Sequence, residues 1–451
     1  MEEADDLAQE LKELLPGRVT TDVEAYLKDW WPFLLVTDQP IGSATAAVKP
    51  ANVDEIAKLI NFASTKGVPL YVRGGGSSVT GSSIPSSGIV VDTSSLNQVL
   101  DLDEANRTVT VQAGAKLKTL EAKLNEKGFT LSQFPQSFEM VTVGGYISTL
   151  GTGQYSSLYG GIEDSVLRLE VVLPSGEVIW TRRRSAPRSS VGPDLSRLFL
   201  GAEGSLGIIS AAELKIRKLP NHLWKAAFSF ANFEDAVNAS RVLAEQDVKP
   251  AVCRANNELE SQFQFNENGC ILLLLYHFRS ESVARAVREE VSALLEAGSK
   301  PADPALVDLW LEKRFNFREQ IDAIQKLGYT LETIEVAAKW SRLLELYYDA
   351  MGALGDLPGV GGVGAHVSHI YEQGGCLYFT VLFQPKKETY WKIWESMEKA
   401  TRAHDATISH HHGVGLLKRV YAKDEIPVDL LRRVKQAIDP DGILSPDRLP
   451  N

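Results

Sequence analysis

The sequence predicts an α+β fold in two parts, on three observations. Its 451 residues exceed what one hydrophobic core usually organises. Strand-like and helix-like stretches are mixed, without the regular βαβ alternation of a doubly wound sheet. Near residue 221 the pattern changes, and a glycine-rich region gives way to amphipathic helices flanking an apolar core strand.

The elements follow in chain order. Residues 4–16 read as a helix with apolar positions three and four apart. Residues 19–45 are mixed and carry Trp30, Trp31 and Pro32. Asn52 can cap a helix whose Val53, Ile56, Leu59 and Ile60 share a face. The strand PLYV (69–72) then runs into three glycines. Strands at 88–94 and 108–114, a helix at 116–128 and a strand segment at 165–179 turning at PSGE complete a region ending near Pro220. Beyond it, a helix (231–246), a core strand (269–279) and a long helix (281–298) suit a substrate-facing domain. The stretch 352–366 reads as a glycine-rich loop ahead of a strand at 376–383. A helix at 388–403 and a final helix at 429–439 bracket ISHHHGVG. The expected divisions are 1–44, 45–220, 221–400 and 401–451.

Composition excludes several function classes. Hydrophobic content of 44% and charged content of 23% fit a soluble globular protein. A formal charge of -11 argues against nucleic acid, because displacing phosphate counterions needs a basic surface. TRRRSAPRSS (181–190) is a local exception, equally readable as an anion contact or an exposed loop. Three distant cysteines match no thiolate metal pattern and fit a reducing compartment. The acidic amphipathic N-terminus is unlike a signal peptide, and ILLLLY (271–276) has only the length of a buried strand. A cytoplasmic protein is expected, compatible with peripheral contact at the inner face of a membrane.

Three glycine-rich segments carry the first chemical signal. RGGGSS holds Arg73, Gly74, Gly75, Gly76, Ser77 and Ser78. Consecutive glycines let backbone N–H groups close around a diphosphate, although a tight structural turn would look the same. The second segment (135–153) contains Pro135, Thr142, Gly144, Gly145, Ser148, Gly151 and Gly153, and the third (193–216) contains Glu203, Gly204, Gly207 and Ile209. No G-x-G-x-x-G βαβ fingerprint and no Walker lysine is present. Three such segments within one region favour an extended nucleotide cofactor.

These segments resemble the PCMH-type flavin domain of the vanillyl-alcohol oxidase family, and GAEGSLGII matches one of its specific signatures. The resemblance implies a two-subdomain FAD-binding domain, with a second α+β cap domain carrying an antiparallel sheet. The FAD contacts carried over are the residues just named in the three segments. Covalent members place a histidine where this chain has Ser77, so noncovalent FAD is expected.

The rest of the chain is similar to alkyldihydroxyacetonephosphate synthases and their prokaryotic FAD-linked oxidase and glycolate oxidase-like relatives, through WLEKRFNFRE, HVSHIYEQGGCLYF and ISHHHGVG. By that resemblance Arg254 faces an acid group and Tyr378 lies near the reacting centre. His411 and His412 also belong to the site, as proton-transfer or phosphate-holding imidazoles. Tyr378 alternates with Leu377 and Phe379 and so can face away from the core. Arg314 and Arg318 share a helix face, where pairing with Glu312 or Glu319 is favoured over a phosphate contact.

An extended 408–412 would split His410 and His412 from His411, so the three could not ligate one ion together. The dehydrogenase relatives carry a metal-binding glutamate where this chain has His411. A His366–His411 ion site is the weaker alternative, and no metal is expected. The reaction expected is oxidation of a CH–OH group in a small 2-hydroxy acid or polyol phosphate, by hydride transfer to flavin N5. A synthase-like exchange of acyl for alkyl through a flavin N5 adduct is the alternative. A small anionic substrate, an unidentified electron acceptor and a homodimer complete the expectation.

Overall fold

The computed structural model describes residues 2–37 and 41–449, with backbone alone at 2, 3 and 317–320. Three larger sheets organise the described residues, beside a two-stranded pairing of Arg217–Lys218 with Phe129–Thr130. The first joins Val19–Thr20, Ala46–Val48, Ile89–Asp92 and Leu70–Arg73 in that order, and its last three strands run parallel. Asn52 caps the helix Val53–Lys66 through Oδ1 to Glu55 N at 2.9 Å, and Ile56, Leu59 and Ile60 bury against this sheet. The second sheet is antiparallel, in the order Val99–Asp103, Thr108–Gln112, Ile208–Lys215, Val166–Val172, Val178–Trp180.

The third sheet has seven antiparallel strands, in the order Lys300–Ala302, His222–Phe230, Cys270–Phe278, Val252–Asn256, Val360–Ser368, Gly374–Phe383, Thr330–Lys339. ILLLLY lies at its centre and is buried on both faces. Cys270, Leu272, Leu274 and Tyr276 enter one core, and Ile271, Leu273 and Leu275 enter another. A near-continuous apolar run is what such a strand requires. Helices Phe233–Ala244, Glu281–Glu296, Trp340–Gly355 and Lys387–Ala403 contribute to the first of these cores. The architecture is thus two-domain α+β, with a mixed and an antiparallel sheet in one part and a large antiparallel sheet in the other.

Both chain ends tie the parts together. Trp31 and Phe33 join the core of the large sheet, and Trp31 Nε1 donates to Tyr390 Oη at 2.7 Å. Residues 443–445 run beside Leu70, through Leu70 N to Ile443 O at 2.8 Å and Ser445 N to Leu70 O at 2.8 Å. Among the described residues no helix is long and apolar enough to cross a membrane.

Two local expectations are corrected. Residues 352–366 are not a loop, because the helix extends to Gly355 and Val360–Ser368 is a strand. Its glycines keep close neighbours on the sheet: a Cβ on Gly364 would lie 2.7 Å from Glu260 Cγ, and one on Gly361 2.6 Å from Tyr329 Cε1. Residues 408–414 are not an extended strand either. They form a bent, irregular turn around a buried carboxylate described below.

Candidate functional site

Strand periodicity builds one wall of the site. In Gly374–Phe383 the residues Leu377, Phe379, Val381 and Phe383 enter the core, which turns Cys376, Tyr378 and Thr380 to the opposite face. The register sets Asn256 opposite His366, His366 opposite Tyr378, and Tyr378 opposite Glu335. Residues separated by as many as 122 positions therefore form one row across four strands. His366 and Tyr378 of this row border a cavity of about 900 Å³ that reaches from the glycine segments to the large sheet.

The glycine segments form the opposite wall. Gly74, Gly75, Gly76, Ser77, Ser78, Pro135, Gly144, Gly145, Ser148, Gly151, Glu203, Gly204, Gly207 and Ile209 line the cavity. The first two segments pack backbone to backbone. A Cβ on Gly75 would lie 2.0 Å from Met140 O, and one on Gly74 would lie 2.2 Å from Thr142 Oγ1. The N–H groups of Gly75, Gly76 and Ser77 donate to no other group among the described residues. Free amides on a side-chain-free wall suit the diphosphate of a dinucleotide, so the residues present fit FAD.

Three of the expected FAD contacts have structural partners instead. The Arg73 guanidinium donates to the carbonyls of Ala25, Tyr26, Lys28 and Ser83. Thr142 caps a short helix through Gly145 N, and Gly153 lies against the Phe134 backbone. Glu203 lines the cavity, but its carboxylate accepts from Val414 N at 2.6 Å and Gly415 N at 3.0 Å, strapping the histidine loop to the flavin-type domain. Burial pushes the Glu203 carboxyl up to about 7 against those donors.

Glu335 explains the shape of the histidine loop. Its Oε1 accepts the N–H groups of His410 (3.2 Å), His411 (3.2 Å) and His412 (2.9 Å). Its Oε2 meets Lys418 Nζ at 2.6 Å and His412 Nδ1 at 3.3 Å, and both Glu335 and Lys418 are fully buried. Burial acts to raise the Glu335 carboxyl, but His412 and Lys418 outweigh it and hold it well below the usual carboxylate range.

Around Tyr378 the polar groups form a chain. Tyr378 Oη lies 2.9 Å from His369 Nε2 and 3.1 Å from His411 Nε2. His369 Nδ1 meets Ser156 Oγ at 2.6 Å, and His411 Nδ1 meets His410 Nδ1 at 2.8 Å. His369 sits just beyond its strand at φ +51°, the turned conformation that brings it and His366 to the same phenol. His366 stacks on Tyr378 with ring centroids 4.5 Å apart. Burial drives His369 and His411 well below the ordinary imidazole range, and neighbouring imidazoles add to it; burial takes His410 to about 4. Burial also raises the Tyr378 phenol far above its ordinary value.

Neutral, desolvated histidines make the fold acid-sensitive. At His410 the unfolded chain takes up a proton below about pH 6.5, whereas the folded chain resists it until about 4. The unfolded state then binds more protons, so stability falls as pH drops through that window. Thermal midpoints between pH 7.5 and 4.5 are expected to decline, and His410→Gln to flatten the decline.

Two arginines face the cavity. Arg254 donates from Nε to Asn256 Oδ1 (2.9 Å) and from Nη2 to Glu260 Oε2 (3.0 Å) and His366 Nδ1 (3.1 Å). Its Nη1 has no protein partner among the described residues. Arg314 does not make the acidic pairing its helix spacing favours. Its guanidinium lies among the rings of Phe134, Tyr155, Trp310 and Phe315, and its buried Nε and Nη1 lack hydrogen-bond partners. The side chain of Arg318 lies outside the described residues. Cys376, His410 and His411 bring ligand-type atoms within 4.8 Å of one another, although burial and Glu335 push the Cys376 thiol well up, against the thiolate form.

Sequence reasoning missed Glu335, Lys418, Glu260, His369, His410 and Ser156 as members of the site. HVSH offered a signal for His369, while Glu335 and Lys418 carried none.

Residues 44–182 match a family profile described as FAD binding domain. Residues 219–449, more than half of the chain, match the C-terminal domain of FAD linked oxidases. An uncharacterized FAD-linked oxidoreductase of Escherichia coli is 28% identical over 427 residues, covering 89% of this chain and 87% of that protein. An alkyldihydroxyacetonephosphate synthase of Caenorhabditis elegans is 28% identical over 446 residues, covering 88% and 74%. A solved alkyldihydroxyacetonephosphate synthase superposes with a TM-score of 0.81 at 24% identity, over 98% of this chain and 84% of that one, a likeness of fold.

Proposed function

The chain belongs to the FAD-linked oxidases, and on that premise we propose that it oxidises the CH–OH group of a small 2-hydroxy acid or polyol phosphate. The observation that carries this reading is Tyr378. It is a half-buried phenol on the cavity wall, hydrogen-bonded to two neutral histidines, with Arg254 two strands away on the same sheet.

FAD, when bound, supplies the acceptor for the hydrogen and electron pair that leave carbon. Gly74–Ser78, Pro135, Gly144, Gly145, Ser148, Gly151, Gly204, Gly207 and Ile209 would hold it. Arg254 Nη1 and the partnerless edge of Arg314 bind the carboxylate or phosphate and orient the carbinol. Tyr378 takes the hydroxyl proton while passing its own to His411, a transfer that never leaves a charged phenolate in the buried site. Apolar side chains including Leu259, Phe263 and Leu382 line an arm of the cavity.

Anaerobic mixing with glycolate, lactate and glycerol phosphates tests this reading through flavin bleaching. Bleaching by one of them, with turnover through an artificial acceptor, is expected. The apolar cavity arm also favours a second reading, the synthase-like exchange. Failure of the whole panel, together with alcohol-for-acyl exchange on acyl-glycerone phosphate, would replace the first reading with that one.

Two further outcomes follow. Arg314→Leu is expected to raise KM by about 10- to 100-fold, the loss of a charge-assisted contact. It should cost little stability, because no partner charge is left behind; an unchanged KM in steady-state kinetics would remove Arg314 from the site. Acid precipitation is expected to release free flavin into the supernatant, since Ser77 cannot make a histidyl–flavin bond. Flavin remaining in the pellet would contradict noncovalent binding.

A further inference from the structure

We propose that His410 and Tyr371 form a proton exit from the site, a single-file wire running from Tyr378 through His411 and His410 to the surface at Tyr371. Nothing in the resemblance of the chain assigns a part to either residue. The inference rests on the oxidation reading above and extends it to where the released proton goes.

The geometry is continuous. Tyr378 Oη meets His411 Nε2 at 3.1 Å, His411 Nδ1 meets His410 Nδ1 at 2.8 Å, and His410 Nε2 meets Tyr371 Oη at 2.7 Å. Tyr371 is 36% exposed, Tyr378, His410 and His411 are half-buried, and His369 at the interior end is buried. The interior end extends to His369 and Ser156.

With every imidazole neutral, donor and acceptor roles can run in one direction along the whole chain. In the outward polarity proposed here, Ser156 donates to His369 Nδ1, and His369 Nε2–H donates to the Tyr378 oxygen. Tyr378 O–H donates to His411 Nε2, His411 Nδ1–H to His410 Nδ1, and His410 Nε2–H to the Tyr371 oxygen. The Nδ1–Nδ1 contact excludes charge on both His410 and His411, which would set two N–H groups against each other. Burial, which drives these rings neutral, leaves each with one donor and one acceptor nitrogen, as a wire needs.

One turnover balances. The carbinol carbon loses a hydrogen with its electron pair to the cofactor, its oxygen loses a proton, and a carbonyl forms. That proton enters at the Tyr378 oxygen. The Tyr378 proton passes to His411 Nε2, the His411 Nδ1 proton to His410 Nδ1, the His410 Nε2 proton to Tyr371, and the Tyr371 proton to water. Each member gains one proton and loses one. His410 and Tyr371 touch neither substrate nor cofactor and act only through His411.

Histidine-selective ¹⁵N NMR of the FAD-loaded protein at neutral pH tests the polarity without turnover. Neutral rings are expected, protonated at Nδ1 in His411 and at Nε2 in His410; a charged ring or the opposite tautomer at either would overturn the wire. Stopped-flow with a pH-indicator dye tests the exit. In Tyr371→Phe, proton appearance in bulk should lag flavin bleaching by about 10-fold or more. In His410→Ala, bleaching should slow by about 100-fold and recover with added imidazole, which a merely structural role would not do. Wild-type proton release in both variants would overturn the proposal. If no substrate bleaches the wild-type flavin, the oxidation reading has failed, and the tautomers still decide for or against the wire.

Discussion

Tyr378→Phe is expected to slow flavin bleaching by substrate by about 10²- to 10⁴-fold, the span associated with loss of a positioned proton-transfer group. The ring remains to stack on His366, and the neighbouring strands keep their register, so FAD content and thermal midpoint should stay near wild type. Only the hydroxyl is removed, and with it the link between His369 and His411. The effect should fall on the bleaching rate at saturating substrate rather than on substrate affinity. Rapid mixing across substrate concentrations separates the two. A variant that bleaches at the wild-type rate would show that the proton leaves by another route.

Glu335→Ala is expected to have the largest effect on stability. It leaves the Lys418 ammonium buried without its carboxylate and strips the acceptor from three consecutive backbone N–H groups. Breaking a buried pair from one side costs about 3–5 kcal/mol. The loop 408–415 should become protease-sensitive, since its main remaining anchors would be Glu425 at one end and Glu203 at the other. Urea unfolding measures the loss. In Glu335→Ala/Lys418→Ala the two losses should combine to less than their sum, because the double variant leaves no stranded charge. Full additivity would mean the pair is not the keystone of the loop.

The acid limb of stability has the same origin. Glu335 is a depressed carboxyl, so its contribution is present above the ordinary carboxylate range and disappears as pH falls through its lowered value. The histidines start the decline earlier, nearer pH 6.5. Two superposed acid limbs are therefore expected rather than one.

What the sequence made legible divides along physical lines. The glycine segments were readable because a close backbone approach admits few other residues, and Gly74 and Gly75 do pack directly on the second segment. The face of Tyr378 was readable because alternation in a strand needs only local information. The shape of ISHHHGVG was not, since it depends on Glu335, 75 positions before His410. Once the loop wraps that carboxylate, strand periodicity no longer governs where its rings point. GALGDLPGVGGVGAH misled for the converse reason. Its glycines look like loop punctuation, but three of them serve a strand facing Glu260, Leu259 and Tyr329. Arg314 followed neither pattern. Helical spacing offered it a carboxylate, and packing set it among four rings instead.

The central claim is that a carbon-bound hydrogen leaves the substrate while Tyr378 takes the hydroxyl proton. Anaerobic stopped-flow with the substrate deuterated at the carbinol carbon tests it most directly. Flavin bleaching that is markedly slower with deuterium, in a single phase matched by formation of the carbonyl product, is the predicted result. Bleaching indifferent to the deuterium, or alkyl-for-acyl exchange with the carbinol hydrogen retained, would contradict it.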